Sequence, residues 1–168
     1  MNSVEVEQEL ALIYQADQDE RTVGWNNIDF EQLKENDKPR LKRAKEIFEL
    51  IKANKVILSG QSLYQLGILF QHSKDINDYP IAGEIGKLSG DAGYSDGYWL
   101  SAAAEDRYLV HTTQKQKWGT QFQKNDEEWE LVPMIDDAES GATDDLREKR
   151  SIPPKSRQLD VFLARADI

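Results

Sequence analysis

The sequence predicts a mainly α fold, a compact antiparallel array of helices with a small C-terminal β-hairpin. Three observations carry that expectation. Apolar residues recur at three- and four-residue spacing through most of residues 3–113. Turn and cap residues (Gly24, Asp37-Pro39, "LSGQS", "DINDYP", Gly93) cut that stretch into helix-sized pieces. The period then shortens to two, but only after residue 116. Small residues at the expected crossings make the array loosely similar to stacked helical hairpins, although no fixed repeat is sustained.

The first helix spans 3–18, with Val6, Leu10, Ile13, Tyr14 and Asp17 on one face. Asp29 suits the cap of a short turn, and Pro39 the first turn of a firmer helix over 38–53, stripe Leu41, Ala44, Phe48, Ile51. Ser62 begins a helix to about Ser73. Asp78 and Pro80 open the next one, with Ile81, Ile85, Leu88 and Ala92 apolar and Gly93 at its left-handed end. Ala82, Gly83 and Gly86 invite close approach by a neighbour. A long helix follows over 96–113, stripe Trp99, Ala102, Ala103, Asp106, Val110. Alternation at Trp118, Thr120 and Phe122, and again at Trp129 and Leu131, marks the hairpin over about 116–134. Pro133 confines its second strand to an edge or an end. Residues 136–145 read as an acidic surface loop, and two short helices, 144–150 and 156–165, close the chain, the last burying Leu159, Phe162 and Leu163.

A length of 168 residues is most simply one domain, helical over 3–113, with the hairpin over 116–134 and the acidic loop and terminal helices over 135–168. The formal net charge of −10 argues against a nucleic-acid partner, which calls for a basic face. Absence of Cys excludes disulfides, thiol nucleophiles and Cys-based zinc sites. The start "MNSVEVEQEL" shows no secretory pattern, and the apolar runs are too short to span a bilayer, so a soluble, cytoplasmic protein without a membrane partner is expected.

Charges stand where core residues belong. Asp17 continues the buried stripe of the first helix, with Arg21 four residues on; Asp106 points inward seven residues beyond Trp99; His72 flanks the apolar face of "LGILFQH". Buried charges need partners, so such residues tend to converge. A carboxylate, a guanidinium and an imidazole meeting in a partly dry pocket shift one another's pKa values, as acid–base chemistry requires. Taken singly, Asp17–Arg21 and Asp106–Arg107 read first as ordinary structural ion pairs or helix-end contacts. The segment "KQKWGTQFQ" adds amides: if it is extended, Gln116, Trp118, Thr120 and Phe122 share a face, while Gly119 and Gln121 lie on the other. Gln side chains either orient a polar ligand or satisfy buried backbone. The four Trp residues read as core or pocket-wall aromatics, Trp118 foremost among them for lining a site. His72 and His111 stand 39 residues apart, outside any metal-ligand spacing, so no metal and no cofactor is expected.

The order Asp17-Gln18…Arg21, Gln71-His72, Asp106-Arg107, Gln116-x-x-Gly119-Thr120-Gln121, then Pro133 and Asp136, resembles an uncharacterised bacterial family. That family is a domain of unknown function with a DQxxR, QH, DR, QxxGTQ signature. Arg147 stands in its closing arginine position, while Ser151 and Ile152 replace its usual Gly and Leu. The resemblance implies a mainly helical fold and one shared polar site, and brings no activity with it.

Three functions fit. In an enzyme, a hydrolase or transferase working without a metal on a small polar or anionic substrate, His72 is the general acid or base and Asp106 orients it or its substrate. Asp17, Gln18, Arg21, Gln71, Arg107, Gln116, Trp118, Gly119, Thr120 and Gln121 then bind or position the substrate. The alternatives are a binding module clamping a small ligand or peptide with the same residues, and a helical scaffold in which the cluster is structural.

Overall fold

The computed structural model describes residues 2–126 and 128–165. The described residues form eight α-helices packed against one another, with one two-stranded antiparallel sheet near the C-terminus. Helix α1 (Ser3–Arg21) starts in a reciprocal cap: Asn2 Oδ1 accepts from the Glu5 amide, and Glu5 Oε2 accepts from the Asn2 amide. Its buried residues are Val6, Leu10 and Asp17, as the stripe requires.

Helix α2 (Phe30–Lys52) is longer than expected, because Asp29 caps the whole helix and Pro39 lies inside it. Pro39 is on the solvent side. Ion pairs on either side of it, Arg21 with Asp37 and Arg40 with Glu20, tie the segment to α1 and carry the helix through the missing amide. Helix α3 (Gly60–Gln71), capped by Ser59, is buried along most of its length and is the central element. Around it pack α1, α2, α4 (Asp78–Asp91) and α5 (Asp96–Thr113). Val6, Leu10, Ile47, Leu66, Phe70 and Ile85 form the middle of the core. Helices α4 and α5 approach closely because neither has a side chain at the crossing. A Cβ on Gly86 would sit 2.7 Å from the Ser101 nitrogen, and one on Gly97 would sit 2.4 Å from the Gly86 carbonyl oxygen. Gly93 takes the expected left-handed conformation after α4 (φ +92°). Leu88 and Leu163, expected inside, are exposed, because each lies at the outer edge of its apolar stripe.

The hairpin is shorter than expected. Strands β1 (Phe122–Asn125) and β2 (Glu128–Leu131) pair antiparallel with Phe122 opposite Leu131, and Gln116 bridges to Met134 as an isolated pair. Residues between them, 117–121, are not strand. A turn of helix, α6 (Asp137–Ser140), capped by Asp136, replaces the expected loop. Helix α7 (Asp144–Glu148) and α8 (Gln158–Arg165) complete the chain, and a second small core of Ala102, Trp118, Ala142 and Ile152 joins this region to α5. No helix among the described residues is long and apolar enough to cross a membrane.

Candidate functional site

Two polar clusters lie along α5 and its neighbours, and the sequence does not separate them. The first surrounds Asp106, which is fully buried. Its carboxylate accepts the amides of Lys117, Trp118, Gly119 and Thr120 at 2.7–3.0 Å and the Thr120 hydroxyl at 2.8 Å. The loop's carbonyls are met from the other side. Buried Arg147 donates from Nε to the Trp118 carbonyl and from Nη2 to that of Lys117, while Asp137 and Asp144 hold its guanidinium. Gln158 donates to the Trp118 carbonyl as well, at 2.7 Å. Gln116, also buried, staples the loop shut: its Oε1 accepts the Gln121 amide, and its Nε2 donates to the carbonyls of Gln121 and Val132. Gly119 turns the chain at φ +93° with its Cα against the Gln158 amide, leaving no room for a side chain. The expected alternation over 116–122 therefore gives way to a loop wound around one carboxylate.

The second cluster opens onto a cavity of about 470 Å³, a size suited to a small molecule. Arg21, Gln71, His72, Arg107, Thr120 and Gln121 supply its polar lining, and Trp99, Phe122, Trp129 and Phe162 much of its apolar wall. His72 ends α3, where it caps the helix, and its Nδ1 lies 3.0 Å from Asp17 Oδ2 and 3.1 Å from Oδ1. Asp17 is 1 % exposed and is held in place by Arg21 at 2.5 Å and by the Gln18 amide at 2.8 Å; Arg21 reaches on to Asp37.

Burial raises the Asp17 carboxyl, but the hydrogen bond and charge of His72, with Arg21 and Gln18, more than offset this and hold it below its ordinary value. Burial lowers the His72 imidazole, helped by Arg21 and Arg107, and Asp17 only partly restores it. The pair is thus an ionised carboxylate and a neutral imidazole whose proton sits on Nδ1. Nε2 has no hydrogen-bond partner among the described residues and is not sealed from solvent. It is a free lone pair at the end of a fixed ring.

Arg107 differs from Arg21. Its guanidinium donates to the Gln71 carbonyl and weakly to Gln121 Oε1 at 3.4 Å, and it faces the Tyr79 ring at 5.9 Å. No carboxylate pairs with it among the described residues, and burial lowers its pKa. A half-buried cation without a counter-ion beside a cavity attracts an anion.

Several expectations about single residues need correction. Asp106 is not the carboxylate that orients His72; Asp17 is, because Asp106 is saturated by the 117–120 amides. Gln116 and Trp118 are sealed in the loop structure, and Gly119 faces an adjoining cavity of about 320 Å³. Trp118 therefore lines no part of the His72 cavity; Trp99 and Trp129 do. The members of this aromatic wall come from α5, both strands and α8, so no single stretch of sequence displays it. His111 lies at the end of α5 beside Tyr79, at 3.5 Å. Among the described residues no group of three or more His, Asp or Glu side chains is arranged to hold a metal ion. No protein-family model, curated protein or solved structure matches the chain.

Proposed function

We propose that this chain is an enzyme performing general acid–base chemistry, a hydrolysis or group transfer, on a small anionic substrate bound in the His72 cavity. One observation carries the reading: an imidazole fixed at Nδ1 by a buried carboxylate, with Nε2 unpartnered, lines the same cavity as the guanidinium of Arg107, which has no carboxylate partner among the described residues. Asp17 holds the tautomer and ring orientation and stabilises the imidazolium that forms when Nε2 takes a proton. Because burial favours the neutral ring, His72 is ready at neutral pH to accept that proton. Arg107 binds the substrate's negative charge and Arg21, already shared between Asp17 and Asp37, serves mainly to keep Asp17 ionised. The residues that carry the resemblance to the bacterial family supply both this dyad and the clamp around Asp106, which supports placing the chain with that family. The absence of Cys and the charge of −10 support a cytoplasmic setting.

A binding module is the second reading, favoured by the unpaired Arg107 alone. A screen of small carboxylates, phosphates, esters and amides against the wild type and His72→Gln separates the two. An enzyme consumes a hit, and His72→Gln slows turnover by about 10²–10⁴-fold with little change in KM. A ligand that raises Tm, is recovered unchanged and binds His72→Gln equally well sinks the catalytic reading.

A further inference from the structure

The residue next to His72 has a side chain for which neither the fold nor the dyad has a use. Gln71 is 5 % exposed and lines the cavity, yet its side chain makes no hydrogen bond among the described residues, and only its backbone carbonyl reaches the cluster, accepting from Arg107. Its Oε1 is buried with no partner. Its Nε2 also lacks a partner among the described residues, but is not sealed off. Gln116 is satisfied at both ends, and Gln158, whose Oε1 also lacks a partner, still donates from Nε2 to the Trp118 and Pro153 carbonyls; in Gln71 neither end is engaged among the described residues. With Oε1 turned into the protein, the open Nε2 on a cavity wall, one residue from a general base, is the end of this amide that a ligand's acceptor can meet.

Charge narrows that ligand. Arg21 and Arg40 are engaged by Asp17, Asp37 and Glu20, and His72 is neutral, so Arg107 is the cation of the cluster without a carboxylate partner among the described residues. Three guanidiniums face three carboxylates here, so a singly charged carboxylate on Arg107 meets less repulsion than a dianionic phosphate with Asp17 close by. The apolar wall of Trp99, Phe122 and Phe162 matches an apolar or aromatic body.

We infer that the substrate is an acyl compound, an ester or amide with an apolar acyl group and a carboxylate, and that Gln71 Nε2 donates to its carbonyl oxygen. The inference rests on the acid–base reading of His72 and adds the reacting group to it. Water attacks the acyl carbon, and its oxygen–carbon bond forms as its proton passes to His72 Nε2. The carbonyl oxygen takes up the negative charge and is stabilised by the Gln71 donor. Collapse restores the carbonyl, breaks the bond to the leaving oxygen or nitrogen, and returns the proton from Nε2 to that atom. The products are an acid and an alcohol or amine, and no other reactant is required. The adjacent positions of Gln71 and His72 then have a chemical reason: one turn end of α3 delivers both the donor and the base.

A pair of unreactive probes tests this. 4-Oxo-4-phenylbutanoate and 4-phenylbutanoate differ only in the carbonyl, and 4-oxo-4-phenylbutanamide lacks the charge. Calorimetric titration of the wild type should find the oxo acid about tenfold tighter than the other two. In Gln71→Met, folded as judged by circular dichroism, the two acids should bind alike, while Gln71→Glu should weaken both through repulsion. Equal affinities of the two acids for the wild type, or a carbonyl preference that persists in Gln71→Met, overturns the role of Gln71 and leaves the anion site standing. Binding of neither acid, or equal binding of the neutral amide, removes the anion site and the inference with it.

Discussion

Asp17 and Asp106 both point inward from apolar helix stripes and both are essentially removed from solvent, yet their surroundings are opposite. Asp106 receives five hydrogen bonds, four from consecutive backbone amides, and touches no other charged side chain through them. Asp17 receives its bonds from side chains alone, Gln18, Arg21 and His72, and the last two line a cavity. Burial is common to both, so it does not distinguish a structural carboxylate from a functional one. The donors do: backbone amides fix a chain path, whereas an ionisable donor keeps a proton in play.

The contrast can be broken most forcefully at Asp106. Asp106→Ala leaves four loop amides and a hydroxyl without their acceptor, and the expected loss is about 4 kcal/mol or more, comparable with the whole stability of a marginal domain. Urea unfolding measures it, and a loss under 1 kcal/mol would contradict the clamp. Gly119→Ala comes next. Its Cβ would meet the Gln158 side chain at 2.0 Å in a left-handed backbone, and about 2 kcal/mol of stability should go, with no direct effect on the His72 cavity. Asp17→Asn should cost about 1 kcal/mol and instead change titration. Removing the group that raises the His72 pKa should lower it further below 6.5, as followed by imidazole proton shifts, while Asp106→Asn, if folded, should leave it where it was.

The smallest expected effect concerns pH. The unfolded imidazole binds a proton near 6.5 and the folded one only lower, so between those values the unfolded chain holds more protons. Stability should therefore decline as pH falls through that window, and His72→Gln should lessen the decline. Asp17 acts lower down: its depressed pKa stabilises the fold above about 3.8 and is lost as pH falls beneath it. Urea midpoints at pH 7 and pH 5 in the wild type and His72→Gln give the comparison.

The left-handed Gly93 after α4 and the 96–113 span of α5 were legible, because Pro80 and Gly93 are local signals that bound the segments around them. The inward carboxylates were legible too, since a helical stripe places Asp17 and Asp106 whatever surrounds them. Their partners were not. Asp17 meets a histidine 55 residues away, and Asp106 meets a loop 11–14 residues on, whose alternation of Trp118, Thr120 and Phe122 imitates a strand. Pro39 misled for a related reason: ion pairs to α1 sustain a helix through a residue that locally argues for its start. Only the resemblance drew attention to Arg147, and its part as the donor that fills the loop's acceptors depends on carbonyls 29 and 30 residues earlier.

The clamp around Asp106 has a consequence for how the molecule breathes. Lys117 to Thr120 form no helix or strand, and segments of that kind ordinarily trade their amide hydrogens with water within seconds to minutes. Here those hydrogens are aimed at one carboxylate on the long helix, so releasing any of them means parting the C-terminal third of the chain from the helical body. Their deuterium uptake should therefore be as slow as that of the central helix, and all four should open together.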